Sequence, residues 1–400
     1  MRIAVRPEQG VVSGRLKVAF TPDLATNELV FRLWPNGPRQ AQEGTRLEVG
    51  RVESAGRRLD ARLTDPTTLE VDPGPRLKSG ETFEASMPWR LELPGPSFDR
   101  ISSHGTSLRL GSFFPLLAWQ PGAGWLRDPP TTSLAETSTS QIADFDVRLR
   151  LPPGVEALAS GREVSPGRWR ANAMRDFALA TGSFDTTSAT AMAPKPVRVT
   201  VGVDDGLVES PGPYRDAVVR ALEALANKYG PYPWPSFNLA ITPGLAGAGI
   251  EYPSLVMQGE GTVGIVTTHE VAHQWFYSLV GSNPARDPWL DEGLTTYAQS
   301  RVDSQIDFFA SEPVPGPARN RLGAGMPYWD RNQDVYFQGV YAQGVKALAA
   351  VGPPGVIDCG LRRYVTANAY SIADSTDLIR ALEAEQPGAG RILERFGVSR

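Results

Sequence analysis

The sequence predicts an α+β protein of two domains, an antiparallel β-sheet domain followed by a mainly helical one. The chain has 400 residues, which is more than one compact core usually holds. Up to about residue 190, short alternating runs are separated by Gly, Pro and Asp, as in antiparallel sheets. Beyond about residue 210, apolar residues recur at the spacing of amphipathic helices. We therefore expect a β-sheet domain at 1–192 and a mainly helical domain at 193–400.

The strand pattern is clearest at residues 145–151, where Phe, Val and Leu alternate with Asp and Arg. This alternation predicts a strand with one face on a core and the other in water. Residues 16–20, 28–33 and 81–89 have a similar pattern. The segment Thr186–Pro196 is rich in Ser, Thr, Ala and Pro, and we expect it to be the linker between the two domains.

The helical pattern begins near Pro213, and Gly230 with Pro231 ends the first helix. Ser375 is the expected N-cap of the last helix. The other elements predicted for this half are strands at about 197–203 and 237–242 and helices at about 265–280, 290–306, 340–351, 355–368 and 376–385.

Composition and termini give little information about partners. The formal net charge of −4 gives no reason to expect nucleic acid or an anionic membrane as a partner, and nothing indicates an oligomeric state. No apolar run approaches the roughly 20 residues of a membrane span, and the first residues lack the apolar core of a signal peptide. We expect a cytoplasmic protein from the sequence as given, or a secreted or cell-envelope protein if an upstream segment has been removed. The single cysteine, Cys359, is expected to be buried.

Two of the three histidines stand four residues apart, in His269-Glu270-Val-Ala-His273. On a helix, positions i and i+4 share one face, so both imidazoles can bind the same ion. A catalytic zinc typically takes three protein ligands and leaves one position for water. The remaining histidine, His104, falls in the predicted sheet domain and is expected to be structural or exposed.

A carboxylate is therefore the expected third ligand; Glu292, near the start of the next predicted helix, is the candidate, and its neighbour Asp291 is the rival. Adjacent helical residues point about 100° apart, so only one of the two can face the ion. Glu270, beside the first ligand, is placed to act as the general base that takes a proton from water. We expect Trp275 and Trp289 to pack these helices together.

The spacing His269-Glu-x-x-His273, eighteen residues, then Glu292 resembles the zinc signature of the aminopeptidase N family of gluzincin metallopeptidases. The flanking text at 274–276 and 289–297 is also similar to the family. The resemblance implies a saddle-like β domain followed by a thermolysin-like catalytic domain. It also implies one Zn²⁺ ion bound by His269, His273 and Glu292, with Glu270 as the catalytic base.

The segment 247–253 resembles the family's G-x-M-E-N exopeptidase motif. Ile250 stands in place of the Met, Tyr252 in place of the Asn and Ala248 in place of the leading Gly. In the family the glutamate, here Glu251, binds the free α-amino group of the substrate. An ammonium held beside the zinc restricts cleavage to the first peptide bond.

The family also uses a tyrosine, on a stretch like Y-x-K-G before a helix, to stabilise the oxyanion of the reaction. Tyr341-Ala-Gln343-Gly344 resembles this stretch, with Gln343 in place of the Lys. Tyr336 has the same Y-x-x-G spacing five residues earlier and is the alternative. The resemblance thus gives Tyr341 the role of oxyanion donor.

As a whole, the resemblance implies a zinc metallo-aminopeptidase whose substrate is a peptide with a free amino terminus. One alternative is a zinc hydrolase of other specificity, such as an endopeptidase or an epoxide hydrolase. Another is a non-catalytic zinc-binding protein of the same fold.

Overall fold

The amino-terminal half of the chain is built mainly of β-strands. The computed structural model describes residues 1–132 and 139–399. A short helix, α1 (Pro38–Gln42), and 3-10 turns at Pro7–Gln9 and Trp34–Asn36 interrupt the strands. The strands are, in chain order, β1 (Arg2–Arg6), β2 (Val11–Phe20), β3 (Leu29–Arg32), β4 (Arg46–Val49), β5 (Glu53–Ser54), β6 (Arg57–Arg58), β7 (Asp60–Asp65), β8 (Thr68–Asp72), β9 (Phe83–Glu92), β10 (Ile101–His104), β11 (Ser107–Leu110), β12 (Leu116–Leu117), β13 (Trp119–Gln120), β14 (Gly124–Trp125), β15 (Ala143–Arg150), β16 (Glu156–Ala159), β17 (Arg162–Ser165), β18 (Arg168–Met174) and β19 (Leu179–Gly182).

These strands form one large sheet and three smaller ones. The large sheet has nine strands in the order β17-β18-β15-β1-β2-β9-β5-β6, with β4 also paired to β9. The smaller sheets have the orders β10-β11-β19-β16, β12-β3-β8-β7 and β13-β14. Neighbouring strands of the large sheet run antiparallel except β1 and β15, which are parallel. In β15, Val147 and Leu149 are buried while Arg148 and Arg150 are exposed, as the alternation predicts.

The second half contains one sheet and most of the helices. Its sheet has the order β20-β21-β22-β24-β23, with β21, β22 and β24 parallel. π-helical segments lie at Gln274–Leu279 and Phe337–Ala342, and 3-10 turns at Gly316–Ala318 and Gln333–Val335. The elements are β20 (Phe184–Met192), β21 (Pro196–Asp204), α2 (Pro211–Tyr229), β22 (Ser236–Ile241), β23 (Gly249–Tyr252), β24 (Leu255–Gln258), α3 (Ile265–Ala272), α4 (Pro288–Val302), α5 (Ile306–Ser311), α6 (Met326–Trp329), α7 (Gln343–Val351), α8 (Pro354–Asn368), α9 (Ser375–Glu383) and α10 (Ala389–Glu394).

The predicted linker is wrong, because Thr186–Pro196 belongs to a hairpin. Strands β20 and β21 pair from Phe184 with Asp204 to Met192 with Pro196. The mistake arises because β20 is an edge strand with a mostly exposed, Ser- and Thr-rich face, which resembles loop composition. A division of the chain at residue 192 would fall inside this hairpin, and the domain boundaries themselves stay a prediction.

Two smaller predictions in the helical half are also wrong. The N-cap of α9 is Asp374, whose side chain accepts hydrogen bonds from the backbone N–H groups of Thr376 and Asp377. Ser375 is the first helical residue, and its hydroxyl bonds to Asp287 at the start of α4 instead. Cys359 is exposed because α8 is amphipathic and buries the opposite face through residues such as Ile357 and Leu361.

One apolar core joins the two halves. A single cluster of buried side chains extends from the amino-terminal strands, through Val147, to the helical side chains Trp275 and Trp289. Both tryptophans are fully buried, as predicted. Among residues 1–132 and 139–399, no helix is long and apolar enough to cross a membrane. The predicted α+β class, a sheet-rich part followed by a helical one, is confirmed.

Candidate metal and catalytic site

The two clustered histidines lie at the carboxyl end of α3. His269 is inside the helix, and His273 is the C-cap residue, which keeps helical dihedral angles (φ −58°, ψ −15°). The helix predicted over 265–280 ends there, because Phe276 and Tyr277 in the following π-helical segment leave helical geometry. The i, i+4 relation between the histidines is nevertheless kept, so both rings face the same side.

Helix α4 brings Glu292 to this side. Its Oε2 lies 3.2 Å from Nε2 of His269 and 3.4 Å from Nε2 of His273. The two Nε2 atoms are themselves 3.2 Å apart. The three side chains predicted as metal ligands therefore present one atom each to a common point.

The triangle of ligand atoms has the size that a zinc ion needs. Tetrahedral ligands at zinc bond lengths of about 2.0–2.1 Å lie about 3.3 Å from one another. The three observed separations are 3.2, 3.2 and 3.4 Å. The donor set of two imidazoles and one carboxylate is also one that catalytic zinc sites use, and it leaves a fourth position free for water. The residues present thus fit one zinc ion.

Asp291, the other carboxylate considered as the third ligand, contacts a ligand from behind. Its Oδ1 lies 2.8 Å from Nδ1 of His273, on the side of the ring opposite Nε2. The Thr295 hydroxyl lies 3.2 Å from the same Nδ1. Such a contact fixes the orientation of the imidazole and raises its basicity as a ligand. The adjacent residues Asp291 and Glu292 therefore point in different directions. Glu292 faces the Nε2 atoms of the two histidines, and Asp291 contacts Nδ1 of His273.

Two further carboxylates are buried next to the ligands. Atoms of Glu251, Glu270 and His273 lie within 4.8 Å of one another. Glu251 reaches the group from the edge strand β23, and Gly249 on that strand allows the close approach, because a Cβ there would lie 2.5 Å from Cγ of Glu270. Oε2 of Glu270 is buried and has no hydrogen-bond partner among the residues that the structure describes. An orphaned buried carboxylate oxygen is expected where a water or substrate group binds.

The crowding of acids shifts their protonation equilibria. Burial raises the pKa of Glu270 to about 8, and burial also raises the pKa of Glu251 well above its usual range. Burial opposes ionisation of Glu292 as well, but hydrogen bonds with the two histidines hold its pKa below the usual range. A divalent cation among these groups favours their ionised forms, because its charge offsets the loss of hydration.

A cavity of about 340 Å³ opens beside the ligands. Its wall includes Glu251, Glu292, Tyr336 and Tyr341. The Tyr341 ring stacks on the ring of His269, with centroids 5.8 Å apart and planes at 14°. The Tyr336 ring contacts the Tyr341 ring edge-on, with centroids 5.7 Å apart. Both tyrosines therefore reach the cavity, but only Tyr341 packs directly on a ligand among the ring contacts of the described residues.

This geometry leads to a prediction that separates the two tyrosines. We expect Tyr341→Phe to lower kcat about 10²- to 10³-fold, which is the usual cost of removing one oxyanion donor. Tyr336→Phe removes the hydroxyl of the neighbouring ring, which does not stack on His269, and should change kcat by less than about threefold. Steady-state kinetics of both variants on one peptide provide the measurement. The assignment of Tyr341 is wrong if Tyr336→Phe has the larger effect.

The side chain of Gln343, at the position of the family's lysine, is hydrogen-bonded to neighbouring backbone groups. Its buried amide donates to the carbonyl oxygens of Ala318 and Gly339, and its oxygen accepts from the N–H of Asn320. The next residue, Gly344, contacts Gly293 so closely that a Cβ on Gly344 would lie 2.7 Å from Cα of Gly293. Helix α7 is thereby packed tightly against α4, which carries Glu292.

The amino-terminal half contributes a cavity wall that sequence reasoning missed. Arg39 and Arg100 both line the cavity. Arg100 Nη1 lies 3.4 Å from the hydroxyl of Tyr252, the residue that replaces the family's Asn. Gly111 makes room for that ring, because a Cβ there would lie 2.0 Å from the Tyr252 hydroxyl. His104 is half-buried on β10 and belongs to neither cluster of possible metal ligands within residues 1–132 and 139–399.

Comparison with known proteins agrees with this geometry. Residues 215–312, which contain β23, α3 and Glu292, match the model of the peptidase family M1 domain. Over these residues the chain is similar to peptidase family M1. The resemblance to the aminopeptidase N family is thus confirmed.

The matches to curated relatives are local. Aminopeptidase RNPEPL1 of Homo sapiens is 33% identical over 96 residues, which cover 22% of this chain and 13% of that protein. Leukotriene A-4 hydrolase of Xenopus laevis is 31% identical over 117 residues, which cover 27% of this chain and 19% of that protein. The aligned part of this chain thus spans less than a fifth of either relative.

Solved structures match over the whole chain. The M1 zinc metallopeptidase of Deinococcus radiodurans superposes with a TM-score of 0.73 at 19% identity, covering 100% of this chain and 93% of that one. A mutant of the same enzyme, bound to a Tyr-Ser-Ala substrate, gives a TM-score of 0.71 at 22% identity with the same coverage. At these identities the likeness establishes that the two proteins share a fold.

Proposed function

We propose that this protein is a zinc-dependent aminopeptidase that hydrolyses the amino-terminal peptide bond of peptides. The observation that carries the proposal is Glu251, a second buried carboxylate at the ligand triangle and in the wall of the cavity. A general base such as Glu270 is needed by a zinc hydrolase of any specificity, so Glu270 alone does not identify the substrate. A further carboxylate beside the ligands favours a substrate that presents an ammonium group.

The residues divide the chemistry between them. His269, His273 and Glu292 would hold the zinc ion, which would supply Lewis-acid chemistry at the site. Glu270 takes the proton of the attacking water and passes it to the leaving amine. Glu251 anchors the α-amino group of the substrate. Tyr341 donates a hydrogen bond to the oxygen that becomes negatively charged.

The alternatives have less support. An endopeptidase has no use for a buried carboxylate that binds an amino terminus, and an epoxide substrate carries no ammonium for Glu251 to hold. A non-catalytic protein would not need a general base, yet Glu270 keeps a buried oxygen without a partner among the described residues. One relative is named leukotriene A-4 hydrolase, so a zinc hydrolase of other specificity stays an alternative for the same test to decide.

The test compares a free-amine peptide with its N-acetylated copy, each with and without 1,10-phenanthroline. We expect the free peptide to be cleaved at its first bond, the acetylated peptide to be cleaved at least about 100-fold more slowly, and the chelator to abolish turnover until zinc is added. Mass spectrometry of the products identifies the bond that is cleaved. Equal cleavage of both peptides would exclude an amine anchor at this site.

Glu251→Gln supplies the matched variant. It keeps the side-chain volume but removes the charge, so we expect kcat/KM for the free peptide to fall by roughly 10- to 100-fold, the value of one hydrogen bond between charged groups. The acetylated peptide should be affected much less. If both substrates lose the same factor, Glu251 has a structural role only.

A further inference from the structure

Arginine side chains are concentrated on the solvent face of the large amino-terminal sheet. Strand pairing places Arg168 opposite Arg148, and Arg148 opposite Arg2. It also places Arg2 opposite Arg15. These four arginines therefore form one row across the neighbouring strands β18, β15, β1 and β2. With about 4.8 Å between adjacent strands, the row is about 14 Å long.

Small side chains beside this row leave an open depression in the sheet surface. Two residues further along their strands, Ala4 of β1 lies opposite Ser13 of β2. Arg150 of β15 lies opposite Ala4 on the other side. A cavity of about 510 Å³ lies over these positions, and Ala4 and Ser13 are part of its lining. We call it the arginine cavity, because its lining includes Arg2, Arg15, Arg148 and Arg150.

The four arginines of this cavity have no acidic partner. All four are exposed, and none of them forms an ion pair with another residue at 1–132 or 139–399. Asp146, the acid on the same face of β15, pairs with Arg168 and Arg170 instead. Within the described part of the chain, no Asp or Glu lines the arginine cavity. Four uncompensated positive charges thus surround one cavity in a molecule whose formal net charge is −4.

The stability of the sheet does not explain this arrangement. Like charges directly opposite one another on neighbouring strands are destabilising. Charged side chains often protect edge strands from pairing with other chains, but β15, β1 and β2 are interior strands of the sheet. A local concentration of unpaired positive charge is instead typical of a surface that attracts and binds an anion.

The side chains indicate the chemistry of that anion. An arginine fork binds a phosphate group through two parallel hydrogen bonds, and several phosphate groups in one small molecule match four arginines around one cavity. Single-stranded nucleic acid stacks its bases on exposed aromatic rings, and stable membrane binding adds apolar insertion to charge. Among the described residues, no large apolar side chain is exposed on β1, β2, β9, β15 or β18. A small soluble ligand therefore fits this surface better than either macromolecular partner.

We propose that the arginine cavity is a binding site for a small soluble anion that carries several phosphate groups. Arg2, Arg15, Arg148 and Arg150 hold these groups, and the small side chains of Ala4 and Ser13 leave the room for them. The opposite face of the same strands is buried in the shared apolar core, and the arginine cavity shares no lining residue with the cavity at the metal ligands. The inference is therefore independent of the proposed peptidase activity.

The test is calorimetric titration of the full zinc-loaded chain with sodium tripolyphosphate in about 150 mM NaCl, where weak surface attraction is largely screened. We expect one tripolyphosphate to bind, and the double variant Arg15→Gln with Arg148→Gln to bind it about 100-fold more weakly, because each lost hydrogen bond between charged groups costs roughly tenfold. Zinc content is measured after each titration, since polyphosphates also bind metal ions. The melting temperature of the double variant should not fall, because both positions are exposed and like charges are removed.

Arg319→Gln is the matched control, because Arg319 is an exposed arginine of the helical half, just after the 3-10 turn at Gly316–Ala318. Its affinity for tripolyphosphate should stay within about twofold of the wild-type value. No binding to the wild-type protein, or equal weakening in the control and the double variant, overturns the site.

Two further ligands test the chemistry of the anion. A glutamate peptide with the same net charge as tripolyphosphate should bind at least about tenfold more weakly, and equal affinity would overturn the preference for phosphate. Vesicles that contain phosphatidylinositol bisphosphate separate a free ligand from a lipid headgroup. Sedimentation of the protein with these vesicles that tripolyphosphate does not reverse would overturn the assignment to a soluble ligand, whereas its reversal supports the same phosphate site.

Discussion

Replacing Glu270 with glutamine is expected to lower kcat for a free-amine peptide by about 10²- to 10⁴-fold, while zinc content and thermal stability stay unchanged. Glutamine keeps the length and shape of the side chain in a site that is only 5% exposed. It cannot accept a proton, however, so the attacking water loses its base. Turnover, zinc content and melting temperature are measured on the same preparations.

Glu260→Gln is the matched control for this variant. Glu260 lies ten residues earlier, at an exposed position just beyond β24, so the same replacement of Glu by Gln is made there away from the site. Its kcat should remain within about twofold of the wild-type value, as is usual for surface substitutions. Glu270→Gln with nearly full activity would remove Glu270 from the mechanism. Loss of zinc in that variant would instead mean that Glu270 helps to hold the ion.

The metal ligands could be predicted because the information is local. His269 and His273 need only the helical repeat to share a face, and Glu292 needs only a short connection and one further helix. The choice between Glu292 and Asp291 could not be made from spacing, because a change of 100° in helix phase exchanges them. The family resemblance supplied that choice, and packing places Asp291 behind His273.

The cavity wall could not be predicted because it depends on contacts between distant parts of the chain. Arg39 and Arg100 come from the amino-terminal half, and no local pattern connects them with Glu251. The hairpin at Thr186–Pro196 was missed for a related reason. Its strands are stabilised by pairing with each other and by sheet neighbours further along the chain, whereas composition alone indicates a loop.

The second large effect is expected from Arg175, which joins the two halves of the molecule. It follows β18 directly and is buried, and its guanidinium donates to the carbonyl oxygens of Tyr277 at 3.0 Å, Ser140 at 3.1 Å and Leu279 at 3.4 Å. A further bond goes to the carbonyl oxygen of Ser371. Of these acceptors, Tyr277 and Leu279 lie in the segment that follows the ligand His273.

Opposing terms determine the size of the effect. Burial lowers the pKa of Arg175 to about 10, so holding the charge inside the protein costs free energy. The hydrogen bonds to the carbonyl oxygens offset this cost. An uncharged replacement removes these bonds, and each buried carbonyl oxygen that stays unsatisfied then costs about 1–3 kcal/mol of stability. Leu279 and Ser371 still accept backbone N–H bonds from Tyr370 and Gly281. The net loss therefore falls mainly on the other two carbonyls.

We expect Arg175→Met to lower the free energy of unfolding by about 3 kcal/mol, seen as a lower urea midpoint with an unchanged slope. Arg168→Met, seven residues earlier on β18, is the control, because that side chain is partly exposed and its partner Asp146 lies at the surface; its midpoint should not move. Gly281→Ala should resemble Arg175→Met, since a Cβ there would lie 2.2 Å from the Arg175 guanidinium carbon. Equal midpoints for both Arg variants would mean that the hydrogen bonds of Arg175 add nothing measurable to the stability of the joined halves.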